Sequence, residues 1–349
     1  MSALDMTPIL TSARPGTTLQ INICADDYGF AGATCRALVE THRAAVDEVL
    51  LVVDCCAGSN ADDHWPDKAL LIREIANNLH ADGVCDRVLF LERDGELHAH
   101  LWTEYFGSAM QCSFGYNSRI VSSYLAGLEF ATNRYVVHFD GDMLLYQEPG
   151  FDWIGEARTL IDQHPGAVSA TPLTHPPIPG RTECHEALTI WKHTPLLSLE
   201  MGWRSDWLST RCFLLDRHKL DDYLPLIESN GILTEEELRR HFGFFPPTLE
   251  HILSRGISRA GGWQYHISDV RAWLLHPQHK PPRYLKLVPS VIQLVQQGRI
   301  PVEQCGEREI QLEAWERFIA SVYATPGISL GSLAEMSRQH SMDLALDGC

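Results

Sequence analysis

RYVVHFDGDMLLYQEP, Arg134–Pro149, is the stretch whose reading decides the fold. Tyr135 to Phe139 form a short, largely apolar run, and Asp140 and Asp142 follow it one residue apart. A run of this kind, without regular polar alternation, reads as a strand buried on both faces. Two carboxylates so close together disfavour each other's ionisation. The tip of the strand therefore needs a positive partner or open solvent.

The preceding chain repeats the pattern. LQINICA (19–25) runs into Asp26 and Asp27, EVLLVVD (48–54) ends on Asp54, and DRVLFLE (86–92) is a third apolar run. Helical patterns lie between them, from Gly32 to Asp47, over 67–79 with Leu70, Leu71, Ile75 and Leu79 on one side, and over 119–132. Apolar strands alternating with helices predict an α/β fold: a Rossmann-like, mostly parallel central sheet flanked by helices, with right-handed crossovers. Ligands of such sheets bind beyond the carboxyl ends of the strands. Asp26, Asp27, Asp54, Asp140 and Asp142 all fall at such ends.

The second half is less regular. A short strand and a Pro-rich loop are expected over 167–180, and a strand within WLSTRCFLLDRHKL (207–220). PPTLEHILSRG (246–256) has Pro just inside a helix start and Gly closing it. WLLHPQHKPPRY (273–284) follows, and then helical patterns at 284–298, 307–323 and 328–339. The expected organisation is a loose arm over 1–18, a regular strand–helix half over 19–150, a less regular half over 151–282 and a helical C-terminal extension over 283–349.

Composition narrows the partners. The chain has 349 residues, 45% hydrophobic and 21% charged, as in a globular protein. Lys plus Arg number 28 against 45 Asp plus Glu, a net charge of −17, which repels nucleic acid and anionic membrane surfaces. No apolar run reaches the ~18 residues of a spanning helix, and the N-terminus has no signal-peptide pattern. The ten cysteines contain no C-x-x-C pair, which argues against a zinc ribbon or a disulfide framework and fits reduced thiols in a cytoplasmic protein.

Aspartates at strand tips are hard oxygen ligands, and Mg²⁺ or Mn²⁺ commonly joins such carboxylates to a substrate phosphate. Residues i and i+2 of an extended segment point the same way, so D-x-D suits one cation. Gly141 between them permits a close backbone approach. The tripeptide alone is also a common acidic turn. Here it is followed by Glu250 at a helix start and by His276 after a later apolar run, with His279 as a rival three residues on.

The order of these pieces resembles a GT-A fold glycosyltransferase, nearest to glycosyltransferase family 2. Gly127, Leu128, Ala131 and Tyr135 precede Asp140–Gly141–Asp142 in the family's register, and Glu250 leads into RGISRAGG (255–262) before LLHPQH (274–279). The resemblance covers roughly 19–282. It departs where the family has Ala-Arg-Asn, since this chain has Ser123, Tyr124 and Leu125; Arg119, more than a turn earlier, is the candidate substitute.

The resemblance implies a hexosyltransferase-type enzyme moving a sugar from a UDP- or GDP-sugar to a hydroxyl of a small-molecule, peptide or glycan acceptor. It implies a Mn²⁺ or Mg²⁺ cofactor on Asp140, Asp142 and His276. A nucleotide cradle is expected from Ala25, Asp27, Asp54, Arg119, Asp140 and Gly141. Glu250 is the expected base for an inverting displacement, although an acidic residue at a helix start also offsets the helix dipole. Trp191, Trp203 and Trp207 suit either core or a sugar-stacking wall. The extension can pack on the domain, cover the acceptor or close a homodimer. The rival readings are a non-catalytic nucleotide-binding module or scaffold and, less favoured for want of a Gly-x-Gly core after the first strand, a sugar nucleotidyltransferase.

Overall fold

The computed structural model describes residues 14–55, 64–91, 95–107, 115–180, 197–199, 201–227, 235–243 and 248–324. The apolar runs form strands β1 (Arg14–Cys24), β2 (Glu48–Asp54), β3 (Arg87–Leu91) and β4 (Asn133–Asp140), all mutually parallel. The sheet continues through β6 (Ala167–Thr171), β7 (Leu197–Leu199), β8 (Gly202–Ser205), β9 (Cys212–Asp216) and β10 (Trp263–Ile267). Its order is β3-β2-β1-β4-β9-β6-β10-β8-β7. Only β9 and β8 run against the others, so the nine-stranded sheet is mostly parallel. Two short strands, β5 (Leu144–Gln147) and β11 (Ala272–Leu275), pair antiparallel in a separate ribbon.

Helices cover both faces, as the unbroken strands require. On one side α1 (Ala31–His42), α2 (Trp65–Ala81) and α5 (Trp153–Gln163) pack with Ile21, Leu51, Val137 and Phe139. On the other, α3 (Gly95–Phe106), α4 (Gly115–Phe130) and α8 (Leu249–Arg259) pack with Leu50, Val52, Val136 and Leu215. The remaining helices are α6 (Arg217–Asp221), α7 (Glu235–Phe242), α9 (Pro282–Gln296) and α10 (Leu312–Ala324). The last two share a core with Phe30, Leu144, Trp273 and Leu275, so this part of the extension is built onto the β5–β11 ribbon. No described helix is long and apolar enough to cross a membrane.

Three local expectations change. The first strand starts at Arg14, so Arg14–Thr18 belong to the sheet and not to a loose arm. Its buried polar residues are tied down: Thr17 N–H donates to Asp47 (2.8 Å) and the Thr18 hydroxyl to Glu48 (2.7 Å). Between the apolar run at 86–92 and the helical pattern at 119–132, where the sequence offers no regular pattern, lies a further helix, α3, whose buried side is Leu101, Trp102, Tyr105 and Phe106. The helix expected from 246 is described from Leu249 to Arg259. The pattern at 328–339, with Trp191 and residues 1–13, lies outside the described residues.

One feature of the core predicts acid sensitivity. His42 is buried, its Nδ1–H donates to the Leu38 carbonyl (2.7 Å), and its Nε2 accepts from the Trp153 indole (2.9 Å). That bonding needs the neutral ring, and burial lowers its pKa from 6.5 to about 4. The unfolded chain therefore takes up a proton that the native chain refuses between pH 6.5 and 4. Stability is retained above 6.5 and lost as pH falls, by about 3 kcal/mol for this group. Buried His266, lowered to about 4, acts in the same sense, while Asp27, raised by burial to about 6, acts in the opposite sense over 3.8–6. Urea unfolding at pH 7 and 4.5 should show the loss, with a smaller loss in His42→Gln.

Candidate active site

The D-G-D turn is where the main sheet hands over to the ribbon. Asp140 ends β4, and Gly141 donates its N–H to the Asn22 carbonyl of β1 (2.7 Å) while its own carbonyl accepts from the Thr34 hydroxyl (2.5 Å). A Cβ at Gly141 would collide with Ile23 and lie 2.9 Å from the Asn22 oxygen. Glycine is thus required here by the close approach to β1. The turn launches β5, whose Leu144 pairs with Leu275 of β11. Sheet register therefore delivers His276, the residue after β11, next to Asp142.

Asp142 is 8% exposed and faces the Lys280 ammonium and the His276 ring. The Lys280 ammonium lies 2.5 Å from Asp142 Oδ2 and 3.7 Å from Asp27 Oδ1. His276 Nε2 lies 3.6 Å from the same Asp142 oxygen. The other oxygen, Oδ1, is buried without a hydrogen-bond partner among the described residues. Asp27 also accepts from the Cys24 N–H (2.9 Å), which closes the tip of β1. Burial raises its carboxyl to about 6 against the lowering effect of Lys280, and Asp142 adds to the rise. Burial works against the Lys280 charge, but Asp142 and Asp27 outweigh it and raise the ammonium pKa.

Asp140 is engaged differently. Its Oδ1 accepts from the Tyr124 hydroxyl, and His138 Nε2 lies 3.2 Å from the same oxygen. The register explains this. Gln20 pairs with His138 and Asn22 with Asp140, which puts a polar seam on the α4 side of β1 and β4. Gln20 donates to the Tyr124 carbonyl, and Asn22 to the Ser123 hydroxyl (both 3.3 Å). Tyr124 thus occupies the place of the arginine expected from the resemblance and holds the first aspartate.

Glu250 lies in the first turn of α8, partly buried. It is near enough for its charge to act on the Tyr124 hydroxyl and on Arg308, and Asp140 and Asp142 act on the same hydroxyl. Asp54 stands at the end of β2 beside Cys24, and Ala25 is buried at the β1 tip. Arg119 is on α4, with its side chain outside the described residues. His279 is exposed and His276 is the histidine brought to Asp142. Trp203 is buried, and Trp207 stands edge-on to His251 with ring centres 4.6 Å apart.

For a divalent cation the side chains offer Asp142 and His276, with an unpartnered carboxylate oxygen at hand. Asp140 is turned to Tyr124 and His138, and among the described residues no group of three or more His, Cys, Asp or Glu is arranged to hold a metal alone. Two protein ligands completed by a bound diphosphate are typical of Mg²⁺ sites, so the residues fit a cation that arrives with its substrate. Lys280, His138 and Glu309, which contacts His276, are site residues that the sequence patterns do not single out, and Tyr124 stands out there only as a departure from the family's arginine. Lys280 and His138 lay inside the stretches already quoted, as HPQHK and HFDGD.

No protein-family profile matches the chain, and no curated protein matches it in sequence. Similar solved structures include the galactosyltransferase LgtC in complex with donor and acceptor sugar analogs, at 8% identity and TM-score 0.37, covering 90% of this chain and 98% of that one. Another is M. tuberculosis glucosyl-3-phosphoglycerate synthase, at 12% identity and TM-score 0.33, covering 84% and 87%. A third is described only as a mycobacterial protein, at 13% identity and TM-score 0.36, covering 83% and 74%. Two of the three are glycosyltransferases. At these scores the likeness carries no argument about chemistry, which has to come from the site.

Proposed function

We propose that the chain is a metal-dependent glycosyltransferase that moves a hexose from a nucleoside-diphosphate sugar to an acceptor hydroxyl. The observation that carries the reading is the group at the carboxyl ends of β1 and β4: Asp142, Asp27, Lys280 and His276 converge there, and Asp142 keeps one buried oxygen unpartnered. An anionic pair matched by a lysine suits a ligand that brings both a cation and negative charge, and a metal-bound diphosphate is such a ligand.

In this reading Asp142 and His276 would hold Mn²⁺ or Mg²⁺, and the chemistry such a cation would supply is Lewis-acid stabilisation of charge on the diphosphate. Lys280 shifts from Asp142 toward the phosphate oxygens. Tyr124 and His138 hold Asp140 in place to bind the ribose or to act through a water. Asp54 accepts from the base, and Ala25, Asp27, Gly141 and Arg119 line the nucleotide. Glu250 takes the acceptor proton, and with one base opposite the leaving group the anomeric centre inverts. The acceptor class is a small molecule, peptide or glycan.

Turnover tests the reading. The protein is incubated with Mn²⁺ and UDP-, GDP-, CDP- and dTDP-hexoses, and released nucleoside diphosphate is measured. Slow donor hydrolysis without acceptor, from one nucleotide class and abolished by EDTA, is the expected result. Tight nucleotide binding with no release from any donor would favour the non-catalytic module instead.

A further inference from the structure

Glu309 lies beyond the part of the chain that carries the glycosyltransferase resemblance, yet it touches the site. Its Oε2 is 2.6 Å from His276 Nδ1. Its Oε1 accepts from Arg211 (2.9 Å), with Arg308 Nε at 3.5 Å. A carboxylate pinned by two guanidinium groups only accepts, so Nδ1 of His276 must carry the proton. In the neutral ring the lone pair is then on Nε2, the nitrogen that faces Asp142 Oδ2. Two electron-pair donors thus look at each other across 3.6 Å, with the Lys280 ammonium on the same Asp142 oxygen, the charge a metal cation would replace.

The segment that bears Glu309 is built for this position. His276 and Glu309 form a β-bridge, with His276 N–H donating to the Arg308 carbonyl (3.0 Å) and Ile310 N–H to the His276 carbonyl (2.9 Å). Gln304, fully buried, holds the loop from inside. Its amide donates to the Glu307 and Glu309 carbonyls and accepts from Gln311 N–H and the Trp315 indole. A plain tie between the extension and the residue before β9 would need only the Arg211 pair.

We propose that Glu309 is a positioning residue that sets the tautomer and aim of His276 as a cation ligand, so that the C-terminal extension completes the site. A carboxylate behind a ligating histidine fixes the ring and raises its basicity, and removing it typically costs 10–100-fold in metal affinity. The inference rests on the metal-dependent reading above.

The test is Mn²⁺ affinity, followed through the electron paramagnetic resonance signal of free Mn²⁺, with UDP, GDP, CDP or dTDP present. It uses the full chain as wild type, Glu309→Gln, His276→Ala and the double variant, each first checked for an unchanged melting profile. Glu309→Gln keeps the size but loses the charge, and with its one oxygen held by Arg211 its NH₂ faces Nδ1 and no longer fixes the proton there. Affinity should fall about 10–100-fold in Glu309→Gln. In the His276→Ala background the same change should have no further effect. Wild-type affinity in Glu309→Gln, or an equal loss with and without His276, would overturn the proposal while leaving the transferase reading intact. Absence of Mn²⁺ binding in the wild type with every nucleotide would overturn that reading, and this inference with it.

Discussion

Glu250→Gln should lower kcat by about 10²–10⁴-fold while leaving nucleotide affinity and melting temperature close to wild type. Glu250 sits in the first turn of α8, where a glutamate has a local role as well as a chemical one. The local role, offsetting the helix dipole, is worth about 0.3–1 kcal/mol. It affects folding and not turnover. The amide keeps the size and the acceptor oxygen but cannot take a proton. A large loss confined to kcat therefore identifies a base. A loss of stability with unchanged kcat would identify a helix-start carboxylate, and the base would have to be sought elsewhere. Steady-state kinetics on the donor found by the turnover screen, with melting in parallel, separates the two.

Lys280→Met is expected to have the second largest effect, in two parts. Lys280 is the cation that balances Asp142 and Asp27. Removing one partner of a buried ion pair leaves charge uncompensated and costs 3–5 kcal/mol in full burial. The Lys280 side chain is 30% exposed, so solvent screening reduces this to roughly 2–3 kcal/mol. The second part concerns rescue. If a divalent cation binds Asp142, Mn²⁺ should restore much of the lost stability in the variant and do less for the wild type, where Lys280 already supplies charge. Activity should still fall, because the contact to the diphosphate is gone. Melting with and without Mn²⁺ checks both parts, and a stability loss that Mn²⁺ leaves unchanged would argue against a cation on Asp142.

Much of the nucleotide-side architecture was legible because parallel strands buried on both faces leave apolar runs that nothing else in the chain imitates. The aspartates at their tips could be placed for the same reason. The reversal of β9 and β8 was not legible, since strand direction leaves no mark in residue type. α3 was hidden because its buried side is built largely of aromatic residues in a polar stretch. In the site, Asp142 and His276 come together through the β5–β11 register. The partners that set their chemistry come from far along the chain. Lys280 pairs with Asp27, and Glu309 reaches His276 across a β-bridge, contacts that no local spacing encodes. Tyr124 stood in plain view as a departure from an expected arginine. Its role follows only from the polar seam between β1 and β4 that brings its hydroxyl to Asp140.

The central claim is that Asp142 binds a cation together with a nucleoside diphosphate. The most direct measurement is thermal stability with UDP, GDP, CDP and dTDP, each with and without Mn²⁺, for wild type and Asp142→Ala. Ligand at 100 times its Kd stabilises by about 2.7 kcal/mol, a readily visible shift. The account predicts a Mn²⁺-dependent shift with one nucleotide in the wild type and none in Asp142→Ala. No shift with any nucleotide in the wild type, or a shift that survives in Asp142→Ala, would contradict it.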